Sequence, residues 1–192
     1  EDPEGLTLHV RSAGNWTKWW AACPTVLAWD GTRDVGNNAV SGSLKTTVTF
    51  AVTNYGGDNQ FALRGALSGD GNLNGLVVDA TKYDRVEFDL YWDVSSPQRP
   101  WADMGSLEVG LVPTDYSQRM LTNIDVAVLD GWQHIKVPIP SSVTDTNIGG
   151  LIFKMWSGDA GWGQTGTAIF WLDNSKLVPK GWITDFDNDR YV

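Results

Sequence analysis

The segment RVEFDLYWDV, residues 85–94, decides the fold class of this chain. One side of the segment carries only apolar residues, namely Val86, Phe88, Leu90 and Trp92. The residues between them are Glu, Asp and Tyr, so apolar and polar positions alternate strictly. Such alternation is typical of a β-strand with one buried face, because successive side chains of a strand point to opposite sides. The segment therefore predicts an antiparallel strand whose apolar side faces a core.

Strand-like segments recur along most of the chain. Further strands are predicted at 43–52, 59–67, 106–112, 119–129, 132–140, 150–156 and 167–178. Turns rich in Gly, Asn, Asp, Ser and Pro separate them, and no segment has helical periodicity over three turns. Short strands with such turns predict an all-β fold, a two-sheet antiparallel β-sandwich of the jelly-roll type. We assign residues 1–178 to this single domain and 179–192 to a C-terminal tail or linker.

Charge and cysteine content exclude several classes of protein. The net charge is −9, and only 14 Lys and Arg are present, which disfavours binding to nucleic acid or to an anionic membrane. No apolar run approaches the roughly 20 residues of a membrane helix. The single cysteine, Cys23, excludes an intrachain disulfide framework. Low Lys with abundant Trp, Asn, Gly and Thr favours a secreted, extracellular protein in a polysaccharide environment, and we expect a monomer.

Eleven tryptophans are the most unusual feature of the composition. Trp16, Trp19 and Trp20 cluster in GNWTKWWAAC, and Trp101 and Trp162 lie in connections rich in Gly, Pro and Ser. Tryptophan in a loop exposes a large apolar surface, which in a soluble protein indicates a binding site. A flat ring with a polar N–H edge suits the faces of sugar rings.

The polar phases of the predicted strands form a second candidate surface. When the apolar phases point inward, the residues that point outward are Gln60, Arg64, Glu87, Asp89, Tyr91, Glu108, Lys154 and Trp156. Carbohydrate recognition needs this mixture, because hydroxyls both donate and accept hydrogen bonds and sugar C–H faces stack on aromatic rings. The alternative is a solvated face whose charges pair across strands. The candidate glycan contacts are these eight residues with Trp19, Trp20, Trp101 and Trp162.

Several of these segments, taken in order, resemble a known family. They are similar to a β-jelly-roll carbohydrate-binding module of bacterial glycoside hydrolases. The segments are SGSLKTTVTF (41–50), DNQFALRGAL (58–67), YDRVEFDLYWD (83–93), GSLEVGLV (105–112), GWQHIKVPIP (131–140) and IFWLDNSKL (169–177). The resemblance covers about residues 41 to 178 and implies a two-sheet fold with a glycan site on the concave face or at the loop tips. The N-terminal stretch with Trp16, Trp19 and Trp20 departs from the family pattern.

The resemblance also implies one structural calcium ion. Similar modules hold it between a carboxylate before the first long strand and the Asp of the closing strand. On this chain those positions are Asp30 or Asp34, with a carbonyl of Ser43, and Asp173. Oxygen ligands of this kind are the ones that calcium prefers.

The sequence therefore predicts a non-catalytic module that binds a plant cell-wall β-glycan of the cellulose, xylan, xyloglucan or mannan type. Its partners would be the polysaccharide and a glycoside hydrolase in the same parent chain.

Alternatives remain open. Glu87, or Asp89, with Glu108 on an adjacent strand ~4.8 Å away would suit a glycosidase. A lyase would use Tyr91 as base with Arg64 or Lys154. A third possibility is an inter-domain structural module that docks through its tryptophans.

Overall fold

The computed structural model describes residues 16–21, 23–37, 41–50, 60–68, 71–93, 106–126, 129, 131–156 and 166–181. Within them the chain forms ten strands and a 3-10 turn at Ala80–Lys82. The strands are β1 (Trp16–Ala21), β2 (Thr25–Asp30), β3 (Ser43–Phe50), β4 (Gln60–Ala66), β5 (Tyr83–Trp92), β6 (Ser106–Pro113), β7 (Arg119–Asp125), β8 (Gly131–Pro138), β9 (Ile148–Trp156) and β10 (Gly166–Pro179). No helix in this part of the chain is long and apolar enough to cross a membrane.

The ten strands form two five-stranded sheets. The first sheet has the order β1-β4-β9-β6-β7, and the second has the order β2-β3-β10-β5-β8. Every pairing between these strands is antiparallel. The predicted antiparallel β-sandwich is confirmed, and each predicted strand segment matches one of β3 to β10.

The core lies between the sheets and is filled by the apolar phases that the sequence predicts. Phe88 of the second sheet meets Phe153 of the first edge to face, with ring centroids 4.9 Å apart. Trp92 and Phe170 stack with an interplanar angle of 7°. Burying a side chain of this size stabilises the fold by about 1.5–3 kcal/mol. The assignment of Trp92 to the core is confirmed.

The first strand, β1, contains the tryptophan cluster of the segment GNWTKWWAAC. Trp16 is only 3% exposed, and its ring lies over Gly65, where an added Cβ would come within 2.8 Å of it. Trp16 therefore belongs to the core and not to a binding surface. An irregularity in pairing with β4 falls between Lys18 and Trp20, and Trp19 occupies it.

Some predictions fall where the structure gives no description. Trp101 and Trp162 lie outside the described residues, as do the side chains of Trp20 and Trp156. Strand β10 ends at Pro179, and of the predicted tail only residues 179–181 are described.

Candidate functional site

The predicted polar face is divided between two opposite surfaces. Arg64, Gln60, Glu108, Lys154 and Trp156 belong to strands of the first sheet, whereas Glu87, Asp89 and Tyr91 all belong to β5 of the second. Neighbouring residues on each strand fill the shared core, so the two sets project in opposite directions. The expectation of one continuous face is wrong. Alternation assigns a side chain to the inside or the outside, but it does not say which sheet the strand joins.

Because these residues lie on two opposite surfaces, the predicted pairs of catalytic residues do not come together. Glu87 on β5 and Glu108 on β6 follow each other along the chain but lie in different sheets. Packed sheets are separated by roughly 10 Å, and these side chains point away from each other. The pair Asp89 with Glu108 fails for the same reason, as does a lyase set that joins Tyr91 to Arg64 or Lys154. The glycosidase and lyase alternatives therefore lose the geometry on which they depended.

The outer face of the first sheet has an apolar floor of its own. Ala62, Ala66, Val112 and Ile152 form, with Leu73, a second buried cluster that is separate from the main core. Partly buried Trp19 packs against it. Residues on an outer face become fully buried only when other side chains cover them. A second layer of larger side chains therefore lies over the centre of this face.

Two aromatic rings and a guanidinium form the most distinctive part of that layer. The ring centroids of Trp19 and Tyr116 are 6.3 Å apart, with an interplanar angle of 57°. The Arg64 guanidinium carbon lies 5.8 Å from the Trp19 centroid and 5.3 Å from the Tyr116 centroid. Tyr116 is 49% exposed. This group, which we call the Trp19–Tyr116 cluster, presents aromatic surface and hydrogen-bond donors at one place.

The turn after β6 places Tyr116 in this cluster. Tyr116 adopts a left-handed backbone conformation with a φ of 65°. This conformation costs a residue with a side chain about 1–2 kcal/mol. The Asp115 carboxylate stabilises the turn by accepting hydrogen bonds from the Ser117 amide and hydroxyl. Backbone strain of this kind is often found at ligand-binding sites.

The Arg64 guanidinium makes few hydrogen bonds to the described residues. Its Nη2 donates to the carbonyl of Gly71 at 3.3 Å, and no other hydrogen bond of this guanidinium is formed with the described residues. In the sheet register Arg64 lies between Thr17 of β1 and Ile152 of β9. The guanidinium is thus anchored at one end and is able to donate to a ligand at the other.

Lys154 and Glu108 form the polar centre of the same face. They are directly opposite in the register of β9 and β6, and Lys154 Nζ lies 2.8 Å from Glu108 Oε2. Their side chains are 14% and 22% exposed. Gln60 is paired with Trp156 at the end of β4, next to this centre. The structure thus brings together Arg64, Lys154, Glu108 and Gln60 from the predicted contacts, with Trp19 beside them. Tyr116 was missed, because a turn gives no periodic signal.

On the second sheet, Glu87 is a structural residue. It is 1% exposed, and it accepts a hydrogen bond from Arg85 Nε at 2.6 Å. Lys176 Nζ lies 3.3 Å from its other oxygen. Burial alone would raise the pKa of Glu87, but the Arg85 hydrogen bond and the Lys176 charge outweigh it and hold the pKa below its ordinary value. Glu87 is therefore not placed to contact a glycan.

Asp89 is equally enclosed. Its oxygens accept hydrogen bonds from Asn174 Nδ2 at 2.7 Å and contact His134 Nδ1 at 2.8 Å. In the register of β5 and β10 it lies directly opposite Asp173. Asp89 belongs to a buried polar network, and its predicted role as a glycan contact is not supported.

The predicted calcium ligands separate into two groups. Asp34 and Asp173 are both buried, and burial raises the pKa of Asp173 to about 6, with repulsion from Asp34 and Asp89 adding to it. By contrast, Asp30 accepts hydrogen bonds from the Trp171 indole and from Thr32. The Ser43 hydroxyl donates to the carbonyl of Arg33 at 2.6 Å. Among the described residues, no three His, Cys, Asp or Glu side chains are grouped to hold a metal ion.

Tyr91 lies in a pocket on the outer face of the second sheet, beside Arg33, Trp132 and Trp171. None of these three residues stands among the predicted contacts. Trp132 follows a turn near the start of β8, a position that by sequence alone indicates a structural role. A signal for Trp171 was present, since the core residues Phe170 and Leu172 flank it and place it in the outward phase. No pattern in the sequence marks Arg33.

Comparisons with known proteins bear on the fold. No protein-family model matches the chain, and no curated protein matches it significantly in sequence. A family 27 carbohydrate-binding module of Caldicellulosiruptor saccharolyticus, solved in complex with mannohexaose, superposes with a TM-score of 0.61 at 20% identity, covering 91% of this chain and 96% of that one.

Family 29 modules are also similar in structure. One variant of the module CBM29-2 superposes with a TM-score of 0.52 at 9% identity, covering 93% of this chain and 96% of that one. Another family 29 module has a TM-score of 0.51 at 10% identity, covering 96% of this chain and 97% of that one. These likenesses show that the chain has the β-jelly-roll fold of carbohydrate-binding modules, which confirms the predicted resemblance at the level of the fold.

Proposed function

We propose that this chain is a carbohydrate-binding module that holds a plant cell-wall β-glycan on the outer face of its first sheet. The Trp19–Tyr116 cluster carries the proposal: two rings lie 6.3 Å apart, with the Arg64 guanidinium beside both. Sugar C–H faces stack on such rings, and sugar hydroxyls accept from the free Arg64 donors. The Lys154–Glu108 pair supplies a further donor and acceptor for hydroxyls of the next sugar units.

The shape of the site favours a polysaccharide chain over a single sugar. Adjacent strands of a sheet are spaced ~4.8 Å apart, so five strands form a surface long enough for several linked sugars. Each aromatic contact contributes on the order of 0.5–1.5 kcal/mol beyond its buried area. We therefore expect affinity in the micromolar range, built from several weak contacts.

A β-mannan is the first glycan to test. The module from Caldicellulosiruptor saccharolyticus carries mannohexaose in its structure, which supports mannan over the cellulose, xylan and xyloglucan alternatives. Affinity electrophoresis against all four polymers, at equal polymer concentration, compares them directly. Retardation on at least one polymer is expected, and migration unchanged on every one of them would exclude the glycan-binding proposal.

Matched tryptophan variants locate the site. Trp19→Ala removes a ring from the first sheet, while Trp132→Ala removes one from the outer side of the second. We expect Trp19→Ala to abolish retardation and Trp132→Ala to leave it unchanged. The reverse result would place glycan binding on the second sheet.

We also propose one structural calcium ion between Asp34 and Asp173. Two buried carboxylates that repel each other fit a cation, since burial raises the pKa of Asp173 and the charge of Asp34 adds to it, and a cation would offset both effects. Calcium takes 6–8 oxygens, so main-chain carbonyls or waters would complete its shell. The ion would fasten the loop at 31–37 to β10, where the Val35 amide already donates to Asp173 at 3.4 Å. Its role there is structural.

The biological setting is part of the proposal. A low content of charged residues with abundant Trp, Gly and Thr supports an extracellular module. We propose that it is monomeric and positions a glycoside hydrolase of the same parent chain on the polymer. The test compares hydrolysis rates of the catalytic partner with and without this module, on insoluble and on soluble substrate. Targeting should raise the rate only on the insoluble substrate.

A further inference from the structure

The outer side of the second sheet carries a pocket that the proposed glycan site does not use. Its volume is about 550 Å³, and it opens on the face opposite the Trp19–Tyr116 cluster. One row across the sheet register forms its wall, with Lys45 of β3, Trp171 of β10, Tyr91 of β5 and Trp132 of β8 in consecutive pairings. Arg33, from the loop between β2 and β3, lies over the middle of the row.

The Arg33 guanidinium is held in a fixed position. Its carbon lies 4.1 Å from the Tyr91 centroid and 4.2 Å from the Trp171 centroid, and these two rings meet at 89°. The Trp171 indole N–H donates to Asp30 at 2.9 Å, which fixes that ring. The Ser43 hydroxyl donates to the carbonyl of Arg33 at 2.6 Å, which fixes the main chain. An ordered guanidinium loses little entropy when it binds a ligand.

Two cations line this pocket without a contact ion pair to any described residue, although the charge of Lys45 acts on nearby Asp30. Lys45 Nζ lies 5.4 Å from the Trp171 centroid. Among the residues that the structure describes, neither the Lys45 ammonium nor the Arg33 guanidinium forms a hydrogen bond or an ion pair. On a chain of net charge −9, two cations without a contact ion pair beside one cavity are unexpected.

Nearby carboxylates do not neutralise them by contact. Asp30 accepts from Trp171 and Thr32, and Asp34 lies close enough to Asp173 to repel it. Asp93 lines the pocket as well. All three leave the guanidinium without an ion pair, so a ligand carboxylate has donors available to it.

We propose that this pocket is a second saccharide site, selective for an acidic sugar with a carboxylate, a uronic acid residue. The planar fork of Arg33 fits a carboxylate with two parallel hydrogen bonds, and Lys45 adds a second positive charge. Half-buried Trp132, whose ring meets Tyr91 edge to face at 5.6 Å, provides a surface for the sugar ring. One module would then hold a neutral glycan on the first sheet and an acidic one on the second.

Calorimetric titration with trigalacturonate tests the site, with its methyl ester as the uncharged control. We expect wild-type protein and Trp19→Ala to bind the acid equally. The ester should bind about tenfold or more weakly, because an uncharged ester cannot accept two parallel charge-assisted hydrogen bonds from the Arg33 guanidinium. Arg33→Gln should lose about the same factor, and Arg33→Lys should retain part of the affinity. Equal binding of acid and ester, or unchanged affinity in Arg33→Gln, would overturn the proposal.

Two further measurements distinguish this site from the one on the first sheet. If the wild type binds a neutral polymer, binding of Arg33→Gln to the same polymer shows that the variant is folded. If the wild type binds none, a thermal midpoint equal to that of the wild type shows that the variant is folded. Loss of trigalacturonate binding in Trp19→Ala would assign the acid to the first sheet and overturn the second site. A sulfated trisaccharide that binds as tightly as the uronate would overturn the selectivity for carboxylate.

Discussion

Trp19 and Tyr116 lie at distant points of the chain, yet their ring centroids are 6.3 Å apart over the first sheet. Trp19 belongs to the edge strand β1, and Tyr116 lies in the turn that joins β6 to β7 at the other side of the sheet. The irregular pairing between Lys18 and Trp20 and the left-handed backbone of Tyr116 accompany the contact. Two local departures from regular strand geometry thus occur where the proposed sugar platform forms.

Tyr116→Ala should weaken glycan binding without unfolding the protein. The ring is 49% exposed, so its loss removes little buried surface and the thermal midpoint should change by no more than a few degrees. Affinity should fall about tenfold, which corresponds to the loss of a stacked ring. Isothermal titration with a hexasaccharide measures the change. Tyr116→Phe keeps the ring and should bind as the wild type does; a large loss there would assign the effect to the hydroxyl instead.

Glu108→Gln tests the polar centre of the same face. The carboxylate contacts Lys154 at 2.8 Å and is partly exposed, so the ion pair contributes only about 0–1 kcal/mol to stability. We expect a several-fold loss of glycan affinity with a nearly unchanged thermal midpoint. Because the proposed role of Glu108 is to contact sugar hydroxyls, no sugar release is expected from wild type or variant. Release from any of the four polymers that disappears in Glu108→Gln would contradict the binding role.

Glu87 should make stability depend on pH in the acid range. Its folded-state pKa is held below the ordinary value, so its stabilising contribution is present above the ordinary pKa of 4.5 and is lost as the pH falls through the lower, folded value. Glu87→Gln leaves Arg85 and Lys176 without their shared anion, although Arg85 keeps Asp84, and we expect a cost of about 1–3 kcal/mol at neutral pH. Urea unfolding at pH 7 and at pH 3 checks this. An equal cost at both values would mean that the loss comes from packing and not from charge.

Removal of calcium should lower the thermal midpoint of the wild type. A chelator would expose the repulsion between Asp34 and Asp173, which are both buried. Asp173→Asn removes one of the two charges, so its midpoint should respond little to the chelator. Glu108→Gln, on the other sheet, should respond as the wild type does. An unchanged wild-type midpoint would exclude the structural ion.

Gly65→Ala should destabilise the sandwich from inside. An added Cβ would meet the Trp16 ring at 2.8 Å, and overpacking of this kind costs about 1–3 kcal/mol. Gly131→Ala is the control, because nothing lies within 4 Å of its Cβ and only its φ of 68° opposes the change, at about 1 kcal/mol. Denaturant unfolding compares them. A smaller cost at Gly65 than at Gly131 would show that the Trp16 ring can move aside.

The sequence was enough to predict the strands and the direction of most side chains. In residues 85–94 the period of two assigns Trp92 to the core and Glu87 to the outside, and both are found there, because a pleated strand admits no other arrangement. The same rule places Lys154 and Glu108 outward, where they pair.

Tertiary structure alone decided which outward residues share a surface. Glu87 and Glu108 both point outward from their strands but lie in different sheets. The sheet that a strand joins is decided by its pairing with distant strands, and the sequence of a single strand does not reveal that pairing. Tyr116 reaches Arg64 through a turn, and Arg33 reaches Tyr91 and Trp171 from a loop. Turns and loops carry no periodicity, so contacts that depend on them exist only once both sheets have formed.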